Sequence, residues 1–294
     1  MARDRSLSPD PVGVTELADL VLGLGAAGVG GPGGARCRVV GIPGPQGCGK
    51  STLAAAVVER ARLAGLAAVA MSIDDVYLTH AEQQILAEGH HGNRYLEHRG
   101  YPGTHDVALG AEALRALRGA RSGEVVARPT YDKSAHGGRG DRRPRAEWPT
   151  VTGPLDLVVI EGWMLGFPSL DAATLAGLAD RDLAAAAALL RPYEAWTAEL
   201  DAFVRLDPSD PRDVVRWRVD AERARRAAGA ATLTDEEARD YVERFLPAYA
   251  LWEPLLRARP PSRGGAPLPR LEVRLGPDRA ARAAHVIAGG EGAR

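Results

Sequence analysis

Lys50 is one of two lysines in a chain that otherwise meets its need for positive charge with 35 arginines. It stands in "GIPGPQGCGKSTL" (41–53), where Gly44 is followed by four residues and then Gly49, Lys50 and Ser51. That is the spacing of a phosphate-binding P-loop. Glycines let successive backbone N–H groups turn inward on phosphate oxygens, and the helix starting near Lys50 adds its positive end. Gly44, Gln46, Gly47, Cys48, Gly49, Lys50, Ser51 and Thr52 would surround the phosphates of a nucleotide such as ATP. Lys50 would reach the β- and γ-phosphates and Ser51 would ligate Mg²⁺. The composition of the chain gives roughly 0.002 chance matches to this pattern, so coincidence is the weaker reading. A compact ammonium also fits inside such a cradle where a planar guanidinium does not, which explains the lysine.

Binding a nucleotide is not yet catalysis, which needs carboxylates at the same edge. "SIDD" places Asp74 and Asp75 just past one apolar run, and "VVIEG" places Glu161 at the end of another. One carboxylate there could hold Mg²⁺, and another could accept the proton of an attacking hydroxyl, a gain of about 10²–10⁴-fold. Acids at strand ends also cap the next turn, and for Asp75 the two readings stand side by side. Two long polar loops, 93–106 and 131–145, carry candidates for holding an acceptor: Arg99, His105, Asp106, Tyr131, Lys133 and Arg139, with Asp75 beside them. Clustered cations of this kind clamp small carboxylates or a phosphoryl group in transfer. Arginines recur from Arg212 to Arg226, and Arg216 and Arg218 are the best placed to close over a nucleotide as a lid at about 208–230. The histidines lack ligand spacing and cysteine partners, so no structural metal is expected.

These residues need a scaffold. "CRVVGI" reads as a buried strand and "KSTLAAAVVERARLAG" as a helix closed by glycine. Further strands are expected at 66–72, in "EVVARP", at 155–163, at 200–206 and in "LEVRL", with helices at 80–89, 107–119 and across 211–257. Strands alternating with helices predict an α/β fold, a mainly parallel sheet covered on both faces, with ligands at the carboxyl ends of the strands. A helix near 14–24 and a glycine-rich linker are expected to form an N-terminal segment (1–35), with 36–294 as the P-loop domain.

The 294 residues suffice for a sizeable core, and a net charge of −1 gives no global field toward nucleic acid or an anionic membrane. No apolar run reaches the length of a membrane span. Two cysteines, Cys37 and Cys48, are too few for a disulfide scaffold and suit a reducing, cytoplasmic setting.

Seven segments in order, "PQGCGKSTL", "SIDDVYLT", "RGYPGTHD", "PTYDKSAHGGRGDR", "EGWMLGF", "RWRVDAE" and "RFLPAY", resemble the plant and fungal type of D-glycerate 3-kinase. That family is related to uridine kinase, phosphoribulokinase and pantothenate kinase. The resemblance implies Mg²⁺- and ATP-dependent phosphorylation of D-glycerate at its 3-hydroxyl. It assigns Asp74 as the base and Glu161 to Mg²⁺. Val76 and Tyr101-Pro102 depart from the family pattern, which bears on the acceptor pocket. The rivals are a kinase of another small alcohol, such as a nucleoside, sugar phosphate or pantothenate, and a nucleotide-dependent switch. The second lacks the Asn-Lys-x-Asp signature of guanine recognition.

Overall fold

The computed structural model describes residues 12–26, 37–229 and 233–290; the expected glycine-rich linker lies outside the described residues. Short apolar runs form five parallel strands, Arg38–Ile42 (β1), Ala68–Ser72 (β2), Leu157–Glu161 (β3), Ala202–Pro208 (β4) and Arg270–Leu275 (β5). A sixth, Ala281–Ile287 (β6), runs antiparallel to β5 at one edge, and the order is β6-β5-β4-β1-β3-β2. All five residues of β3 are buried. Side chains alternate between the faces of a strand, so both faces there are covered. Helix Val14–Ala26 (α1) packs along Lys50–Leu63 (α2), which lies over β2 and β3. His80–Gly89 (α3) and Val107–Gly119 (α4) follow β2, and α4 also packs on β3. Among the described residues no helix is long and apolar enough to cross a membrane.

Two expectations about the sheet are corrected. "EVVARP" is not a strand of the main sheet: Val125–Ala127 pairs with Thr150–Thr152 in a separate antiparallel ribbon. Its outward Val125 is exposed, so it lacks the two-sided burial of a central strand. The main sheet instead gains β6, whose alanine-rich sequence carries little strand propensity and is stabilised by pairing with β5 after a tight turn.

The register brings one edge into line. Glu161 pairs with Ile42 on one side and with Ser72 on the other, so β1, β3 and β2 end level. The P-loop, the turn after β2 and the loop after β3 therefore leave the sheet together. After β4 come three helices, Asp213–Ala227 (α5), Asp235–Glu243 (α6) and Leu246–Ala258 (α7), with α5 and α6 packed on each other. The P-loop approaches α5 closely. Gly47 has φ +77°, and a Cβ there would stand 3.0 Å from Trp217 Cβ.

At the opposite end of the central strands, Asp201 staples the fold. Its carboxylate accepts from the Val39 amide at 2.9 Å and lies 2.7 Å from both Arg118 and Arg263. Burial alone would raise the Asp201 carboxyl, but these partners hold it below its ordinary value. A depressed carboxyl contributes stability above its unfolded pKa, and that contribution fades as pH falls through the folded value. Asp201→Asn is expected to cost about 3–5 kcal/mol at pH 7, because Arg118 is left buried with a weaker partner. Urea unfolding should show the deficit shrinking at pH 3; a deficit independent of pH would contradict the charge argument.

Candidate active site

The chain turns from β1 into α2 through glycines in the left-handed region, Gly47 at φ +77° and Gly49 at φ +97°. Gly49 is the residue before the helix, and no side chain caps it. The first amides of α2 are thus left for an exogenous anion. Lys50 Nζ curls back to donate to Pro45 O at 3.0 Å, and Ser51 Oγ donates to Glu161 Oε1 at 2.9 Å. The Gln46 amide donates to the Tyr249 hydroxyl at 3.1 Å, which ties the loop to α7. Cys48 is buried, with its thiol pushed up by that burial despite the nearby Lys50, so it serves as packing and not as a reactive thiol.

After β2 the chain makes a single turn, Ile73–Val76, closed by a capping box. Ser72 Oγ accepts from the Asp74 amide at 3.2 Å, and Asp75 Oδ2 turns back to accept from the Ser72 amide at 2.9 Å. This local arrangement separates two adjacent acids. Asp75 is committed to the backbone, and burial pushes its carboxyl up to about 6. Asp74 faces the opening and pairs with Lys133 Nζ at 2.5 Å. Withdrawal from water works against its ionisation, yet the Lys133 ammonium, with help from the Tyr77 hydroxyl, leaves it below its ordinary value.

A cavity of about 1080 Å³ opens at this edge, with Gln46, Gly47, Lys50, Ser51, Asp74 and Glu161 along one wall. Seven cations line it (Lys50, Arg99, Lys133, Arg139, Arg218, Arg225 and Arg244) against four acids (Asp74, Glu97, Glu161 and Glu222). A chain of nearly zero net charge has thus concentrated positive charge in one cleft, which suits polyanions. Arg99 is engaged by the opposing loop: it donates to Gly138 O at 2.9 Å, to Arg139 O and to Lys133 O at 3.4 Å. It therefore shapes the loop that carries Lys133 and Arg139. Arg139 itself donates to His98 Nδ1 at 3.3 Å.

Other residues expected at the site lie elsewhere. Arg216 points away from the cavity, to Asp213 at 3.1 Å and to Pro277 O. Asp106 caps α4 through the Leu109 amide at 3.0 Å and meets Arg142 at 3.1 Å. Tyr131 is buried, its ring 5.6 Å from Arg99 and 5.3 Å from Tyr77. His105 is 4% exposed, packs at a tilt on Tyr77 with ring centroids 4.3 Å apart and meets Tyr193 Oη at 2.9 Å through Nδ1. Burial pulls its imidazole down to about 3, so it stays neutral and behind the wall. Asp75, Asp106, Tyr131 and His105 therefore support the cleft without lining it. Tyr101, where the sequence departs from the family pattern, is buried too and donates to Arg244 O at 2.5 Å.

Sequence reasoning does not single out Tyr77, Tyr241 or Arg244, all of which line the cavity. Arg225 carried a usable signal, since it follows Arg218 by seven residues and so falls on the same face of α5. Arg244 stacks on Tyr241 at 4.5 Å and on Phe245 at 5.1 Å. Its only sequence trace is its place in "RFLPAY". Among the described residues no group of three or more His, Cys, Asp or Glu forms a metal cage. The Ser51–Glu161 oxygen pair instead suits a Mg²⁺ that arrives with a triphosphate, since that ion takes one or two protein oxygens and completes its shell with phosphate and water.

No family model matches the chain. It is 41% identical over 225 residues to the chloroplastic D-glycerate 3-kinase of Arabidopsis thaliana, covering 76% of this chain and 49% of that protein. The chain thus spans about half the length of the plant relative. It is 33% identical over 220 residues to the Saccharomyces cerevisiae protein named "Probable ATP-dependent kinase TDA10", covering 71% of this chain and 75% of that one. Among solved structures, a D-glycerate 3-kinase from Cryptococcus neoformans superposes with a TM-score of 0.81 at 29% identity, covering 93% of this chain and 99% of that one.

Proposed function

Because the chain belongs to the D-glycerate 3-kinase family of P-loop kinases, we propose that it transfers the γ-phosphoryl group of ATP to the 3-hydroxyl of D-glycerate, giving 3-phospho-D-glycerate and ADP. The observation that carries this reading is the meeting of Lys50, Ser51, Asp74, Lys133 and Glu161 in one cationic cleft. In it, the amides at the head of α2 and the Lys50 ammonium hold the phosphate tail. Ser51 and Glu161 would hold Mg²⁺, which would supply positive charge to the phosphate tail.

Asp74 orients the acceptor hydroxyl and takes its proton. A carboxylate of depressed pKa is a weak base, but phosphoryl transfer through a loose transition state asks mainly for orientation and late proton removal. Lys133 keeps Asp74 ionised in the free enzyme, and with Arg139 it supplies cations for the acceptor carboxylate. Arg218 and Arg225 on α5 face the phosphate wall, and α5 forms the lid within 208–230. The partner is a small molecule, with no role for nucleic acid or membrane. The two free, buried cysteines support a reducing compartment, and cytoplasmic residence is part of the same proposal.

A coupled ADP-release assay tests this directly. D-Glycerate should support turnover, L-glycerate should fall at least about 10-fold in kcat/KM, and glycerol, which lacks the carboxylate, should fall further. Absence of D-glycerate-dependent ADP release would refute the assignment of acceptor.

A further inference from the structure

Among the acids of the cleft, Glu222 is the buried one that no step above uses. It is 2% exposed and stands on α5 between two arginines of the same face, Arg218 one turn before it and Arg225 one turn after. Its Oε1 lies 2.6 Å from Arg218 Nη2 and 3.5 Å from Arg225 Nη1. The other ion pairs of this helix differ in kind. In Arg223–Asp220 both partners are half-exposed, and in Arg216–Asp213 the acid is 14% exposed against 2% for Glu222. Solvated pairs of that sort fix little, because two long side chains retain much of their freedom. A carboxylate withdrawn from water is costly unless its partners stay in place, so it holds them more firmly than a surface acid does.

The contact to Arg218 is made at a single point. Arg218 Nε and Glu222 Oε2 have no hydrogen-bond partner among the described residues. A guanidinium carries five N–H donors. Glu222 therefore holds Arg218 through Oε1 at its Nη end, while Nε is buried and takes no part in the contact. The flat face of the same guanidinium lies 4.8 Å from the Tyr241 ring, and Arg244 lies 4.5 Å from that ring. Arg218 is thus restrained by charge at its tip and by an aromatic ring on its face. One carboxylate between two guanidiniums also leaves a net positive charge directed at the cradle.

We propose that Glu222 is a positioning residue for phosphoryl transfer: it holds Arg218, and secondarily Arg225, in the orientation that meets the negative charge developing on the transferring group. This rests on the kinase reading given above. It does not depend on which alcohol is the acceptor. The carboxylate is buried against the two arginines, so its effect passes through them. Removing its charge makes the cleft more positive, which does not weaken ground-state binding of ATP. Loss of orientation therefore appears in kcat and not in KM.

The test compares parent, Glu222→Gln, Arg218→Ala and the double variant in steady-state turnover with D-glycerate and in the slow hydrolysis of ATP by water without acceptor. Glu222→Gln should lower kcat about 10–100-fold, the range for outer residues that orient a reacting group, while KM for ATP rises less than about threefold. In the Arg218→Ala background the same change should cost less than about twofold. Should Glu222→Gln fail to fold, Glu222→Asp keeps the charge, withdraws the carboxylate by one methylene and should still lose kcat. The proposal is overturned if Glu222→Gln or Glu222→Asp turns over like the parent, or if the loss is as large without Arg218 as with it. A parent inactive on D-glycerate would sink the acceptor assignment alone, and the hydrolysis arm would then decide this one.

Discussion

Asp74→Asn is expected to lower kcat by about 10²–10⁴-fold, while Asp75→Asn, the same change one residue on, leaves kcat within about threefold of the parent. The contrast follows from the turn after β2. Asp75 accepts from the Ser72 amide, and an asparagine oxygen can accept there too. Burial pushes its carboxyl up to about 6, so the charged form is disfavoured where it sits and a neutral amide relieves that cost. Asp74 faces the cleft and is kept ionised by Lys133 despite partial withdrawal from water. An amide there cannot take up the proton of the acceptor and lacks the charge that pairs with the ammonium. The pH dependence has a definite sign. A base must be deprotonated to act, so activity falls as pH drops through its pKa, and the depressed value places that limb below the ordinary carboxylate range. In Lys133→Ala, burial loses its main opponent and the limb should move to higher pH. Steady-state ADP release with melting curves as a folding control checks both statements. An Asp74→Asn enzyme that keeps more than about a tenth of parental kcat would remove Asp74 from the chemistry.

How much of this was legible beforehand depends on how local each feature is. The P-loop is a contiguous motif whose conformation is written in its own glycines. Glu161 could be placed because a parallel strand must deliver its last residue to the ligand edge, and the register with Ile42 and Ser72 does so. Arg216 and Arg218 could not be told apart by composition. On a helix they point about 200° from each other, so one face turns to Pro277 and the other to the cleft. Reading α5 by turns would have grouped Arg218 with Glu222 and Arg225. His105 reads as an acceptor-holding residue because an isolated histidine carries no sign of burial, and its neighbours Tyr77, Tyr193 and Trp196 come from distant segments. Strand β6 was hidden for a related reason: "ARAAHVI" has weak alternation, and its pairing with β5 is a tertiary fact.

The two lysines allow a sharper experiment on whether the cradle selects charge or shape. Lys50→Arg is expected to lose about 10²–10³-fold in kcat/KM for ATP, close to the loss for Lys50→Ala, although arginine keeps the positive charge. Lys50 Nζ reaches back to within 3.0 Å of Pro45 O, so the ammonium sits inside the curl of the loop. The loop has little slack. Gly47 abuts Trp217 on α5, the Gln46 amide is tied to Tyr249, and a Cβ at Gly44 would meet Cys48 Sγ at 2.9 Å and Leu206 at 3.0 Å. A planar guanidinium is wider than an ammonium and must push one of these neighbours aside or leave the cradle. Lys133 is the internal control. Its side chain is 58% exposed and pairs with Asp74 at the open side of the cleft, a contact that a guanidinium can make as well. Lys133→Arg should therefore cost less than about 10-fold in kcat. Measuring kcat/KM for both arginine variants, with melting curves to exclude unfolding, separates the two demands. If Lys50→Arg stays within about threefold of the parent, charge alone suffices in the loop, and the use of lysine there needs another cause.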